Sequence, residues 1–267
     1  MTAIALTIAG SDSSGGAGIQ ADLKTFAALG VYGASAITAL TAQNTRGVTG
    51  IHDVPADFIA AQIDAVFDDL DVGAVKIGML SQPETITVVA DSLQRHKAKK
   101  IVLDPVMVAT SGAKLISDPA IDALRRDLIP MALVVTPNLP EAAVLTGAST
   151  ARNEDEMKIQ ARALLRHGAS NVLIKGGHGA GAESVDLLVG TVPGKEVRLA
   201  APRVATQSTH GSGCTLSSAI AAGLAKGLDL VEAVRTAKVY VTAAIAKADS
   251  VKVGQGHGPL HHFHAFW

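Results

Sequence analysis

Residues 208–214 read Ser-Thr-His-Gly-Ser-Gly-Cys and hold the only cysteine in a chain of 267 residues. Behind them, residues 215–226 form an Ala-, Ser- and Leu-rich run closed by Gly227, the pattern of a helix that begins at the glycine turn. Such a turn aims unpaired backbone N–H groups at one point, where the helix dipole adds positive charge. Phosphate binds readily at a place of this kind. The amides of Gly211, Ser212, Gly213 and Cys214 therefore form a candidate anion hole, with glycine permitting close backbone approach. A thiol at a helix N-terminus is expected to ionise more easily than a free one, so Cys214 is also a candidate base. Two blander readings stand beside these. A lone cysteine commonly packs as a small hydrophobe, and a glycine-rich turn before a helix can be purely structural.

Groups of this kind need a scaffold, and the hydrophobic pattern supplies one. Short apolar runs predict strands at 4–9, 32–40, 74–78, 101–103, 133–136, 171–175, 184–189 and 196–200. Helical periodicity predicts helices at 18–29, 56–68, 83–95, 118–127, 140–145, 155–167, 214–226 and 230–247. Strands alternating with crossover helices imply a mostly parallel sheet. The last two strands, joined by Val192-Pro193-Gly194-Lys195, read as an antiparallel hairpin at its edge. No linker or internal repeat interrupts the pattern, so residues 1–267 read as a single α/β domain. Ligands of open α/β sheets bind beyond the carboxyl ends of the strands. Polar and glycine residues gather at those ends: residues 10–18, 41–44, 76–79, 104–106, 136–141 and 175–179. That rim has the composition of a nucleotide site.

Composition narrows the function. Hydrophobic residues are 48% and charged residues 18%, as expected when both faces of a sheet are covered. The net charge of −1 gives no electrostatic case for nucleic acid or a membrane surface as partner. One cysteine makes no internal disulfide, and the N-terminus reads as a strand and not as a signal peptide. A soluble, cytoplasmic protein is the expectation.

The chain resembles the ribokinase-like small-molecule kinases and, among them, the hydroxymethylpyrimidine/phosphomethylpyrimidine kinases of thiamine biosynthesis. Residues 9–24, 41–45, 76–80, 104–107, 136–138, 174–178, 209–214 and 256–263 carry the resemblance in order along nearly the whole length. It implies a three-layer α/β/α sandwich and phosphoryl transfer from ATP with Mg²⁺. The acceptor would be 4-amino-5-hydroxymethyl-2-methylpyrimidine, and then its monophosphate. Most ribokinase-like enzymes have Asp where this chain has Cys214; the cysteine is what the pyrimidine kinases lead one to expect. By the same resemblance, Gln43 would read the pyrimidine edge, Met79 and Val106 would line the ring, Gly10 would allow close ligand approach, and Asp22 would contact the substrate or be an exposed helix carboxylate. Lys175, Asn138 and Thr209 would serve ATP. Glu141, in an Asn-x-x-Glu pattern with Asn138, and Asp104 would serve Mg²⁺, usually through water. A homodimer is also implied.

His257, His261, His262 and His264 are spaced loosely for zinc and no cysteine accompanies them; a similar tail in the family that the chain resembles implies packing or substrate-channel roles. The nearest competing reading is a pyridoxal or pyridoxine kinase of the same superfamily, whose substrate is also a flat ring bearing a hydroxymethyl group. A dinucleotide oxidoreductase is disfavoured because the first loop lacks Gly-x-Gly-x-x-Gly and no ribose-binding acid follows the second strand. A non-catalytic binding protein would not need the anion turn, Lys175 and Cys214 together.

Overall fold

The structure, a computed structural model, describes all residues except 108–114, 178, 180 and 191–195. In chain order its elements are β1 (Ile4–Ala9), α1 (Gly18–Ala28), β2 (Tyr32–Ile37), β3 (Ala39–Asn44), β4 (Gly47–Asp53), α2 (Ala56–Asp69), β5 (Ala74–Ile77), α3 (Pro83–Arg95) and β6 (Ile101–Leu103). There follow α4 (Asp118–Ala123), β7 (Val134–Val135), α5 (Leu139–Thr146), α6 (Glu154–Arg166), β8 (Asn171–Ile174), β9 (Glu183–Gly190), β10 (Val197–Pro202), α7 (Ser212–Ala225) and α8 (Leu230–Ala246). Eight strands form one sheet in the order β10-β9-β8-β7-β6-β5-β1-β2, and β3 pairs only with β4. The run from β8 to β2 is parallel, whereas β9 is antiparallel to both its neighbours.

Period-two alternation divides the strands between two cores. Leu6, Ile8, Ile77, Leu103, Val135 and Val172 face α2 to α6, packing against residues such as Ile63, Val89, Leu124 and Leu164. Ala5, Ala74, Val102, Val134 and Leu173 face the other way, towards Phe26 of α1, Leu216 and Ile220 of α7, and Val234 and Val241 of α8. The second face is lined mostly by small side chains, and there α7 lies against β1, β5 and β6. From Thr215 to Leu224 every residue of α7 is buried. The result is the mostly parallel three-layer sandwich with an antiparallel edge. No helix among the described residues is long and apolar enough to cross a membrane.

Two departures from the sequence reading matter. The strand expected over 32–40 breaks at Thr38, whose hydroxyl donates to the Met79 carbonyl at 2.9 Å and whose N–H donates to the Ala9 carbonyl at 3.0 Å. Beyond it β3 leaves the main sheet and pairs with β4, a strand the apolar pattern did not reveal because it reads Gly-Val-Thr-Gly-Ile-His-Asp. The helix expected over 118–127 is α-helical only to Ala123 and continues as a wider π turn over Leu124–Leu128. The turn at 192–195 and His178 lie outside the described residues.

Candidate active site

The head of α7 is built glycine against glycine. Gly211 caps the helix at φ 82, a left-handed conformation, and a Cβ there would overlap the Gly16 carbonyl oxygen. The loop that supplies Gly16 is organised by Asp12. Its carboxylate accepts the N–H groups of Ser14, Gly16 and Ala17 at 2.9, 3.1 and 2.8 Å, and the Ser14 hydroxyl at 2.7 Å. His210 Nε2 lies 2.8 Å from the same carboxylate, fastening the loop after β1 to the turn before α7. Burial works against the Asp12 charge, but the bonds from His210 and Ser14 prevail and hold its pKa well below the usual carboxylate range. Gln43 joins this junction. Its Oε1 accepts from Thr41 Oγ1 at 3.1 Å, its Nε2 is 3.5 Å from His210 Nε2, and its backbone pairs with the Ser13 hydroxyl.

Of the four expected amides, that of Ser212 is already used, donating to the Thr209 carbonyl at 3.1 Å. For the N–H groups of Gly211, Gly213 and Cys214 the described residues offer no acceptor. The anion hole is therefore narrower than the sequence suggested, because the first turn tightens on itself at Thr209.

Opposite these amides stands a wall of charge at the ends of β6, β7 and β8. Lys175 Nζ donates to Asp104 Oδ1 at 2.6 Å and is 4.0 Å from Glu141 Oε2. A Cβ on Gly213 would be 3.3 Å from that ammonium, so Lys175 reaches the head of α7. Asp104 also accepts from Thr136 Oγ1 and Ser217 Oγ, each at 3.2 Å. Burial raises Glu141 to about 7, Lys175 opposing and Asp104 reinforcing the shift. Burial likewise disfavours the Asp104 charge, but Lys175 and Lys76 outweigh it and keep that carboxyl below its ordinary value.

Asn138 is where sequence and structure part. Its side chain accepts the Glu141 N–H at 2.9 Å while Glu141 Oε2 accepts the Asn138 N–H at 2.8 Å, the reciprocal capping box of α5. The Asn-x-x-Glu spacing is thus a helix start first, and the Asn138 carbonyl oxygen is engaged there. Asp22 is a second correction. Its side chain is fully buried, and its oxygens accept from Thr7 Oγ1 at 2.6 Å, Lys76 Nζ at 2.8 Å and Ser218 Oγ at 2.6 Å. It is not an exposed helix carboxylate, and its oxygens are taken up by protein donors. Gly10 is a third, because the space its missing Cβ leaves is filled by Met79, whose Cε would be 2.6 Å from that atom.

The thiol also departs from expectation. Cys214 is half-buried, and burial pushes its pKa up to about 11, with Lys76 opposing and Asp22 and Asp104 reinforcing. Position at a helix N-terminus does not overcome the loss of water. In the resting protein the group is a thiol.

A cleft of about 600 Å³ gathers Asp104, Val106, Asn138, Glu141, Lys175, Thr209 and the turn Gly211–Cys214 along its walls. That is ample for a nucleotide. Gln43, Met79, Gly10 and Asp22 do not line it; Gln43 stands beside His210, and Met79 lies against Gly10 at the end of β1. The far end of the cleft carries features that sequence reasoning missed, Arg203 and the buried pair of Lys238 with Asp186 at 2.8 Å. A lysine on the inner face of a helix, as Lys238 is on α8, is hard to tell from a surface one. Two of the tail histidines pack: His261 and His262 are buried, and Tyr240 donates to the His262 carbonyl at 2.7 Å, whereas His257 is exposed.

The sequence profile described as phosphomethylpyrimidine kinase matches residues 12–261. A hydroxymethylpyrimidine/phosphomethylpyrimidine kinase of Rhizobium meliloti (strain 1021) is 62% identical over 267 residues, covering 100% of this chain and 99% of its own. A crystal structure of phosphomethylpyrimidine kinase from Clostridium difficile 630 superposes with a TM-score of 0.79 at 48% identity, over 91% of this chain and 99% of that one. An ADP complex of Bacillus subtilis pyridoxal kinase superposes with a TM-score of 0.90 at 38% identity, over 99% of both chains. With a glycine turn, a buried lysine and a thiol meeting at one cleft, and a match that runs through all of them, the chain belongs to the phosphomethylpyrimidine kinase family.

Proposed function

We infer that the chain is an ATP-dependent kinase acting on 4-amino-5-hydroxymethyl-2-methylpyrimidine and then on its monophosphate, in thiamine biosynthesis. The observation that carries this is the convergence of Lys175, the α7 amides and Cys214 at one end of the cleft. In the first step the substrate hydroxyl oxygen attacks the γ-phosphorus of ATP. The bond from that phosphorus to the β–γ bridging oxygen breaks, ADP leaves, and the hydroxyl proton passes to the Cys214 sulfur, which must first have lost its own. The amides of Gly211, Gly213 and Cys214 and the Lys175 ammonium offset the charge on the transferring group. In the second step the acceptor is a phosphate oxygen, which carries no proton that must be removed. Gln43 offers an acceptor and donors side by side for a ring nitrogen and its neighbouring amine. Met79 and Val106 would bound the ring.

Mg²⁺ fits the charged wall. Asp104 and Glu141 are two buried carboxylates sharing one ammonium, so a cation beside them would offset the remaining negative charge. Among the described residues no cluster of three or more His, Cys, Asp or Glu side chains could hold a metal, so an ion there would keep mostly water and phosphate oxygens as ligands. When bound it neutralises charge on the phosphates. Because Glu141 must lose its proton to favour a cation, Mg²⁺-dependent nucleotide binding should strengthen as pH rises through about 7. Calorimetric titration with the Mg²⁺ complex of a non-hydrolysable ATP analogue checks this, and Glu141→Gln should flatten the pH dependence.

The whole chain would act as one kinase domain in the cytoplasm. A homodimer is proposed from the resemblance, and the exposed Leu40 and Ile51 on the β3–β4 sheet offer apolar surface for it. The fit to a pyridoxal kinase favours one second reading, activity on pyridoxal. ADP release measured with the pyrimidine alcohol, its monophosphate and pyridoxal tests both. The inference requires the highest kcat/KM on the pyrimidines, and turnover confined to pyridoxal would overturn it.

A further inference from the structure

Lys76 stands in β5 with no exposed surface, between Val75 and Ile77. Burying an ammonium costs several kcal/mol even when it is paired, and apolar replacements of buried ion pairs are often as stable. The sandwich therefore does not need this charge to fold. Its setting points elsewhere. The Nζ donates to Asp22 Oδ2 at 2.8 Å, and Asp22 Oδ1 accepts from Ser218 Oγ at 2.6 Å. Ser218 is one helical turn beyond Cys214 on α7, and Asp22 is one turn beyond Gly18 on α1. The two helices pack together. Matched i,i+4 spacing on both helices thus stacks the ion pair one turn below the thiol. Gly78 keeps the place open, since a Cβ there would be 2.7 Å from the Lys76 Nζ.

We propose that Lys76 and Asp22 are positioning residues that set the proton occupancy of Cys214, Lys76 drawing the sulfur towards thiolate and Asp22 holding it as thiol. The proposal deepens the reading of Cys214 as the base and rests on it for its catalytic meaning. The other charges facing the sulfur are Asp104 from the end of β6 and Lys175 from the end of β8, which pair with each other, together with the positive end of α7. His262 approaches from the tail, 3.1 Å from Thr215 Oγ1. Lys76 and Asp22 can be replaced while the Lys175–Asp104 pair and its contact with Glu141 keep their own side chains. The Cys214 thiol, raised by burial, is opposed most by Lys76 and pushed further by Asp22.

The only cysteine in the chain makes the test direct, because alkylation by iodoacetamide reports on Cys214 alone. On the full-length enzyme without substrate, Asp22→Asn should speed alkylation near pH 8 by about tenfold or more, and Lys76→Met should slow it by a similar factor, as expected when a nearby charge is removed. The double replacement Lys76→Met/Asp22→Leu should return the rate close to that of the parent. Loosened packing would instead speed alkylation in every variant. If Lys76→Met does not fold, Asp22→Asn and the double variant decide. Rates that move in the same direction in both single variants, or an unchanged rate in Asp22→Asn, overturn the proposal. Since no substrate is present, such a failure would leave the kinase reading standing, and that reading fails separately if ADP release fails. A shifted alkylation profile should reappear as a shifted pH profile for phosphorylation of the alcohol.

Discussion

Replacing Cys214 with Ala should slow phosphorylation of the pyrimidine alcohol by roughly 10²- to 10⁴-fold, the usual worth of a positioned base, while phosphorylation of the monophosphate falls much less. The asymmetry follows from the acceptors, since only the alcohol must give up a proton. The remaining activity comes from positioning and from the charge on the amides and Lys175. The raised thiol adds a pH signature. With the pKa pushed up to about 11, the group is almost wholly protonated at neutral pH. As the thiolate fraction grows, kcat/KM for the alcohol should climb by about tenfold per pH unit on the alkaline side of neutrality. The monophosphate reaction should lack that limb, and Cys214→Ala should remove it from the alcohol reaction. Separate steady-state assays on the two acceptors provide the check. Equal and complete loss of both steps in a folded Cys214→Ala protein would remove the sulfur from the role of base.

Lys175→Met should damage both steps and the fold together. The ammonium is the nearest partner of Asp104, whose side chain is 1% exposed, and it also serves Glu141. Removing one partner of a buried pair typically costs about 3–5 kcal/mol, because the remaining charge has neither water nor a counterion. Catalytic loss of roughly 10²- to 10³-fold is expected on top, comparable to removing one preorganised donor from a charge-stabilising site. The double variant Lys175→Met/Asp104→Asn separates the two effects. It should recover much of the lost melting temperature without recovering turnover on either acceptor. Recovery of both would mean that Lys175 serves only the fold.

Much of the architecture was legible because its signals are local. The buried strands read as apolar runs, and seven helices carry enough apolar periodicity to be placed within a residue or two of their observed ends. The glycine turn before α7 announced itself by composition. The quantities that decide the chemistry are not local. The Cys214 pKa depends on how much water the packed site excludes and on Lys76, more than a hundred positions away in sequence, and the helix-terminus rule alone points the wrong way. Asn138 illustrates a different ambiguity, because Asn-x-x-Glu is the pattern of a capping box as well as of an ion-binding pair, and the backbone takes the asparagine first. Asp22 sits on an 11-residue helix that looked amphipathic, and only the packing of α1 against α7 shows that its face is the inner one. Lys76 offered a signal that went unused, a lone cation inside an all-apolar strand.

The segment bearing the reactive turn has no solvent side from Thr215 to Leu224, so its only freedom is to shift with the interior that grips it. Protein interiors pack like organic crystals, and a misplacement of about 1 Å can cost a hundredfold in rate. A single methyl added among the alanines beneath that segment would therefore be registered at the sulfur as lost turnover while the protein still melted almost normally. Drift in sequence should accordingly be freest on the outer helices and slowest in this unassuming stretch of alanine and serine, where hardly any residue touches a ligand.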